Sequence, residues 1–153
     1  MTTDSIIASL PYAPPFLFVD RIHSVNQEGI EGSFYLDPEL DFFKGHFPHQ
    51  AVTPGVILTE IMAQIGLVCL GIYLNGDDAA VAADFPFALT ATEIAFYIPV
   101  YPGERVRVSS TKIYFRFGKL KCKVQLYNQN DVLACEGTLS GMCVNKPIWK
   151  EES

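Results

Sequence analysis

A glutamate stands inside an apolar run, Pro54-Gly55-Val56-Ile57-Leu58-Thr59-Glu60-Ile61-Met62-Ala63-Gln64. Burying a carboxylate there is costly unless it has a partner or a task. On a helix, Val56 and Gln64 lie one turn to either side of Glu60, so Glu60 and Gln64 make a single polar stripe. Desolvation in such surroundings raises a carboxyl pKa and leaves the group partly protonated near neutral pH, as a proton donor must be. A satisfied buried glutamate, tied to backbone or to His46, fits the same residues. His46 lies in Gly45-His46-Phe47-Pro48, a stretch that must turn back before the helix. Imidazole is the side chain best poised to take a proton near neutrality, and loops on rigid scaffolds commonly carry catalysis. His23, in a strand-like run, and His49 lack comparable surroundings. The helix start supplies a third element: Gly55 and Val56 offer unpaired N–H groups at the positive end of the helix dipole. A carbonyl oxygen gaining charge would be stabilised there, although water could cap the same groups. A base, an acid and an oxyanion donor thus fall between His46 and Glu60. No metal-ligand spacing joins the histidines to cysteines or carboxylates, so neither metal nor cofactor is expected.

The elements that would position these groups are legible. Residues 1–9 read as a short capped helix, ended by Pro11, Pro14 and Pro15. Phe16–Val25 and Gly29–Leu36, joined by Asn26-Gln27-Glu28-Gly29, read as a hairpin. Asp37–Thr53 is irregular, and Pro54, whose missing N–H suits a first turn, opens a helix running to Leu74 that is apolar almost all round. Such a helix is buried on most faces. Asn75-Gly76-Asp77-Asp78 should end it. Strands follow over roughly 80–89, 92–99, 104–117, 119–128 and 131–143, with turns at Pro99–Gly103, Gly118 and Gln129-Asn130-Asp131. The layout is α+β, an antiparallel sheet wrapped about one long helix, and residues 1–153 read as a single domain without repeats or linkers.

Composition narrows the function classes. With 153 residues, 49% hydrophobic and 12% aromatic, the chain can offset its ordering entropy with a real core. A net charge of -6 without any block of like charges makes nucleic acid an improbable partner. Locally, Arg105, Arg107, Lys112, Arg116, Lys119, Lys121 and Lys123 fall on strand-like segments, where they form either a solvated face or a landing site for an acidic partner. Cys69, Cys122, Cys135 and Cys143 show no CxxC pair, and the N-terminus lacks the basic and apolar regions of a signal peptide, so reduced thiols in a cytoplasm are expected. Val56–Leu74 is nearly long enough to span a bilayer, but Glu60, Gln64 and two glycines argue against a span.

Several of these pieces recur together. Leu10-Pro11, Pro15-Phe16-Leu17-Phe18-Val19-Asp20-Arg21, Phe43 with Gly45-His46-Phe47-Pro48, Pro54-Gly55-Val56, Glu60, Ala63-Gln64, Pro99-Val100 and Pro102-Gly103-Glu104 resemble the β-hydroxyacyl-acyl-carrier-protein dehydratases of the hot-dog fold. The resemblance runs roughly from Leu10 to Val144, and the combination is specific where any single piece would be weak. It implies an elimination in which His46 takes the C2 proton, Glu60 protonates the departing 3-hydroxyl and the Gly55 N–H receives the charge on the thioester carbonyl. It further implies a homodimer in which His46 and Glu60 of one site come from different chains, with higher assembly or pairing with another hot-dog protein also open. The substrate would ride on an acyl carrier protein, for which Arg116, Lys119 and Lys121 are the candidate contacts. Pro54, Val56, Gln64 and Phe47 would line the substrate site, and Phe85 and Phe87 an apolar acyl tunnel, unless these two are plain core. A glutamate at position 60 resembles the simple dehydratase branch and not the dehydratase-isomerases.

Two departures touch the pocket. Where many relatives read His-Arg-Tyr-Pro, this chain has Tyr12-Ala13-Pro14-Pro15, and the usual Pro-Val-Met-Pro-Gly becomes Ala51-Val52-Thr53-Pro54-Gly55. The resemblance as a whole implies a role in fatty acid or related synthesis, and the departures suggest a branch serving a specialised polyene, pigment or polyketide pathway. A thioesterase on the same architecture, and a silent subunit that partners an active one, are the competing readings.

Overall fold

In the computed structural model, which describes residues 1–76 and 87–143, period-two alternation becomes a sheet and the apolar run becomes its contents. Strands β1 (Arg21–Asn26), β2 (Gly29–Tyr35), β3 (Phe87–Phe96), β4 (Arg105–Arg116), β5 (Lys119–Tyr127) and β6 (Leu133–Cys143) form one antiparallel sheet in the order β1-β2-β4-β5-β6-β3. On β5 the even positions Leu120, Cys122, Val124 and Leu126 are fully buried, and Val106, Val108 and Ser110 do the same on β4. These inward faces close on the central helix, Gly55–Asn75.

That helix has three parts: α3 (Gly55–Ala63), a π-helical stretch over Gln64–Cys69, and α4 (Leu70–Asn75). Helices α1 (Thr3–Ala8) and α2 (Phe42–Gly45) are peripheral. Every residue from Ile61 to Ile72 is buried, which is why the segment is long and apolar enough for a membrane yet keeps 72% of its most apolar window inside the protein. Burying each large aliphatic side chain is worth roughly 1.5–3 kcal/mol, so this helix is the principal source of core stability. In the π-helical stretch, the buried Ser110 hydroxyl donates to the Gly66 carbonyl at 2.8 Å, supplying a partner from β4. A side chain at Gly66 would crowd both Ser110 and Val124, so the glycine lets the sheet approach the helix. Gly76 ends the helix at φ +58, the left-handed geometry a glycine adopts without penalty.

Several expected boundaries shift. The strand expected from Phe16 begins at Arg21, because the Phe16 carbonyl and the Phe18 N–H are held by Gln64 of the helix, and bonding to β2 starts only at Asp20, whose N–H donates to the Ser33 carbonyl. Pro54 sits at the N-cap with extended ψ (138°), one residue before the first turn. The irregular segment 37–53 contains the single turn α2. The two strands expected at 80–89 and 92–99 are one: β3 runs through with its register shifting between Leu89 and Ala91, an irregularity that reads in sequence as a break. Residues 80–86 of that expectation, together with Asp77, Asp78 and Phe85, lie outside the described residues.

Candidate active site

His46 caps the end of α2, its N–H donating to the Phe42 carbonyl at 3.1 Å. The loop then doubles back. Phe47 and Gln50 exchange backbone hydrogen bonds, and Val52 N–H donates to the His46 carbonyl at 3.0 Å. The His46–Phe47 peptide is cis, and the two rings stack with centroids 4.0 Å apart. The decisive contact is His46 Nδ1 to the Val52 carbonyl oxygen, 2.9 Å. A carbonyl can only accept, so Nδ1 carries the proton in this contact and neutral His46 presents its Nε2 lone pair. The ring is half-buried.

Thr53, next in the chain, ties the loop to the segment after β3 through its N–H and the Val100 carbonyl, 2.8 Å. Pro54 then starts α3, accepting from Ile57 and Leu58 through its carbonyl, while the N–H groups of Gly55 and Val56 have no backbone acceptor. Phe96, the last residue of β3, covers Gly55: a Cβ there would sit 3.2 Å from its ring. Gly55, Thr53, Leu58, Phe96, Tyr97, Ile98 and Pro99 enclose an apolar hollow of about 310 Å³ that opens to the surface.

Glu60 lies one and a half turns further along, half-buried, and burial holds its carboxyl above the usual glutamate range. Gln64 opposes that shift by donating Nε2 to Glu60 Oε2 at 2.9 Å. Gln64 is itself fully buried and saturated. Its Nε2 also donates to the Phe16 carbonyl at 3.0 Å, and its Oε1 accepts from the Phe18 N–H at 2.8 Å. The polar stripe read in the sequence is therefore real, but Gln64 holds Glu60 and the Phe16–Phe18 strap, where sequence placed it among the groups lining the substrate site. His46 and Glu60 make no hydrogen bond to each other within one chain. Each is fixed by its own partner.

The remaining candidates divide. Val56 is 77% exposed and Phe47 55% exposed, and neither is among the residues lining the hollow beside Gly55. Phe87 is buried against Gly71 of the helix, where an added Cβ would run into its ring, so it packs as core. Arg116, Lys119 and Lys121 lie beside the β4–β5 turn. Arg116 stacks over Tyr114, and none of the three forms an ion pair among the described residues. Arg105 and Arg107, grouped with them in sequence, are committed to Asp20, Glu31 and Asp131. His23 bonds Ser33 through Nε2 at 2.9 Å, an ordinary strand contact.

Two residues escaped assignment from sequence. Tyr12 is partly buried, and its phenol is pushed far up first by desolvation and then by the nearby Glu60 carboxylate and Cys69. Thr53 is 4% exposed, and its hydroxyl is the one buried side-chain polar atom without a partner among the described residues. The signal for both was their departure from the family pattern.

A helix sheathed by six antiparallel strands, with a histidine loop at its N-terminal end, defines a hot-dog protein. The chain belongs to the FabA-like family, whose domain model matches residues 10–136. It is 34% identical over 148 residues to the 3-hydroxyacyl-[acyl-carrier-protein] dehydratase FabZ of Allorhizobium ampelinum, covering 92% of this chain and 88% of that one. The FabZ of Caldicellulosiruptor saccharolyticus is 33% identical over 139 residues, covering 88% and 93%. Among solved structures, the dehydratase heterocomplex ApeI:P from Xenorhabdus doucetiae superposes with a TM-score of 0.74 at 12% identity, covering 95% of this chain and 93% of that one, a likeness of fold.

Proposed function

We propose that this chain removes water from a 3-hydroxyacyl thioester, with His46 as base and Glu60 as acid. It is a lyase, a 3-hydroxyacyl-acyl-carrier-protein dehydratase, as its relatives are named over nearly the whole of their length. The observation that carries the catalytic assignment is how each group is held. The His46 ring is fixed through Nδ1 on the Val52 carbonyl, which leaves Nε2 for the substrate, while burial raises the Glu60 carboxyl above its ordinary range, the direction a proton donor needs.

In the forward direction Nε2 removes the C2 proton, and the electrons move toward the thioester carbonyl, whose oxygen meets the Gly55 N–H. The C3–O bond breaks as Glu60 delivers its proton to the hydroxyl, which leaves as water. His46 is left as imidazolium and Glu60 as carboxylate, and one proton passing from the first to the second, through solvent, restores both.

One site draws on two chains. Within a chain His46 and Glu60 are bonded to different partners, and β3, paired on one side to β6, presents a long exposed edge including Leu89 and Phe96. An edge strand of this kind is a template for pairing, and a second copy of this chain is its occupant. The acyl carrier protein docks at Arg116, Lys119 and Lys121, which form no ion pair among the described residues.

Incubation of the purified chain with a 3-hydroxyacyl carrier, followed by mass analysis, should show loss of one water and a trans-2-enoyl product, reversible from the enoyl side. Release of free thiol without any enoyl product would identify a thioesterase instead.

A further inference from the structure

A buried hydroxyl without a partner asks for one that arrives with the ligand. Thr53 Oγ1 is such a group, in a residue 4% exposed whose backbone is pinned to Val100. Thr53 is a wall of the same hollow as Gly55, whose N–H opens the nine-residue helix α3. Of the other walls, Leu58, Phe96, Ile98 and Pro99 have apolar side chains, and the Tyr97 hydroxyl is spent on Glu136. Folding alone would favour valine at this position, because valine has the same shape and no polar atom to desolvate.

We propose that the Thr53 hydroxyl is a second hydrogen-bond donor to the thioester carbonyl oxygen, acting beside the Gly55 N–H. This inference rests on the dehydratase reading above and adds a residue to it. The placement suits the chemistry. Val52 gives its carbonyl to His46, and Thr53 and Gly55 both line the hollow, so a stretch of four residues holds the base and carries the two donors nearest the charge the base creates. In a hollow with apolar walls, a donor aimed at developing negative charge acts at low dielectric and strengthens as the enolate forms. The bond therefore belongs to the transition state more than to the bound substrate, and its loss should fall on kcat.

The test is Thr53→Val and Thr53→Ser in the full chain, with kcat, KM and melting temperature measured on one 3-hydroxyacyl carrier. Thr53→Val should melt at or above the wild-type temperature while kcat drops about 10- to 100-fold, toward the lower end for loss of one oxyanion donor, with KM changed little. Thr53→Ser should recover most of the rate. Should Thr53→Val fail to fold, Thr53→Ala carries the same kinetic expectation. Wild-type kcat in the hydroxyl-free variants, a loss confined to KM, or a serine variant as impaired as valine each overturns the role. A wild-type protein that makes no enoyl product in the same assay would sink the dehydratase reading itself, a distinguishable failure.

Discussion

Replacing Gln64 by leucine should separate what this side chain does for the fold from what it does for Glu60. Leucine keeps much of the volume and removes three hydrogen bonds, two of them to the Phe16–Phe18 strap. The Phe18 N–H is then buried without an acceptor, at about 1–3 kcal/mol, and the part-buried Phe16 carbonyl adds about 1 kcal/mol more. A total of about 2–4 kcal/mol lowers the melting temperature of a chain of this size by roughly 4–16 °C. The catalytic effect has a sign of its own. Burial holds the Glu60 carboxyl above its ordinary range, and the Gln64 bond pulls it part of the way back. As an acid, Glu60 must be protonated, so activity is present below its pKa and falls as pH rises through it. Without Gln64 the pKa climbs further, and the basic limb of kcat/KM for dehydration shifts to higher pH. Profiles of kcat/KM against pH, taken well below the melting temperature, would read this directly. A basic limb that stays in place or moves down would refute the assignment of that limb to Glu60, however large the loss of stability.

Other expectations follow from the same geometry. His46→Ala and Glu60→Gln should each lower kcat by about 10²- to 10⁴-fold while leaving the dimer intact, checked by steady-state rates and sedimentation. At pH 8, Glu60→Gln should also melt higher than the wild type. A carboxyl raised on folding contributes stability below its unfolded pKa and loses it as pH rises toward the folded value, so the advantage should shrink toward pH 4. Gly71→Ala should cost about 1–3 kcal/mol in denaturant melts, because the new methyl meets the Phe87 ring, and Phe87→Leu should recover part of the loss. Reversing Arg116, Lys119 and Lys121 to glutamate should raise KM for a carrier-borne substrate about tenfold or more and leave a short free thioester unaffected, with added salt mimicking the change on wild type.

The chemistry-bearing segment was legible because its signals are local. Gly45-His46-Phe47-Pro48 reads as a loop, Pro54-Gly55 as a helix start, and Glu60 as an anomaly in apolar surroundings, all without knowledge of what packs nearby. The alternations of β4 and β5 and the stop at Gly76 were equally plain. The β3 irregularity was misread as a gap, since one extra residue breaks the period of two without ending the strand.

What the sequence alone determined about this protein is its set of local parts: a buried helix, a loop carrying His46 and His49, a carboxyl in an apolar run, and strands of known facing. Tertiary structure decided their partners. Gln64 reaches back 46 and 48 residues to hold the strap, Tyr12 comes to lie by Glu60, β3 crosses to the side of β6, and Thr53 is left with a hydroxyl that has no partner among the described residues. Periodicity and propensity act over one turn of helix or one pair of strand residues. Which distant donor meets which acceptor is settled only when the sheet closes on the helix and every buried polar group must find its bond.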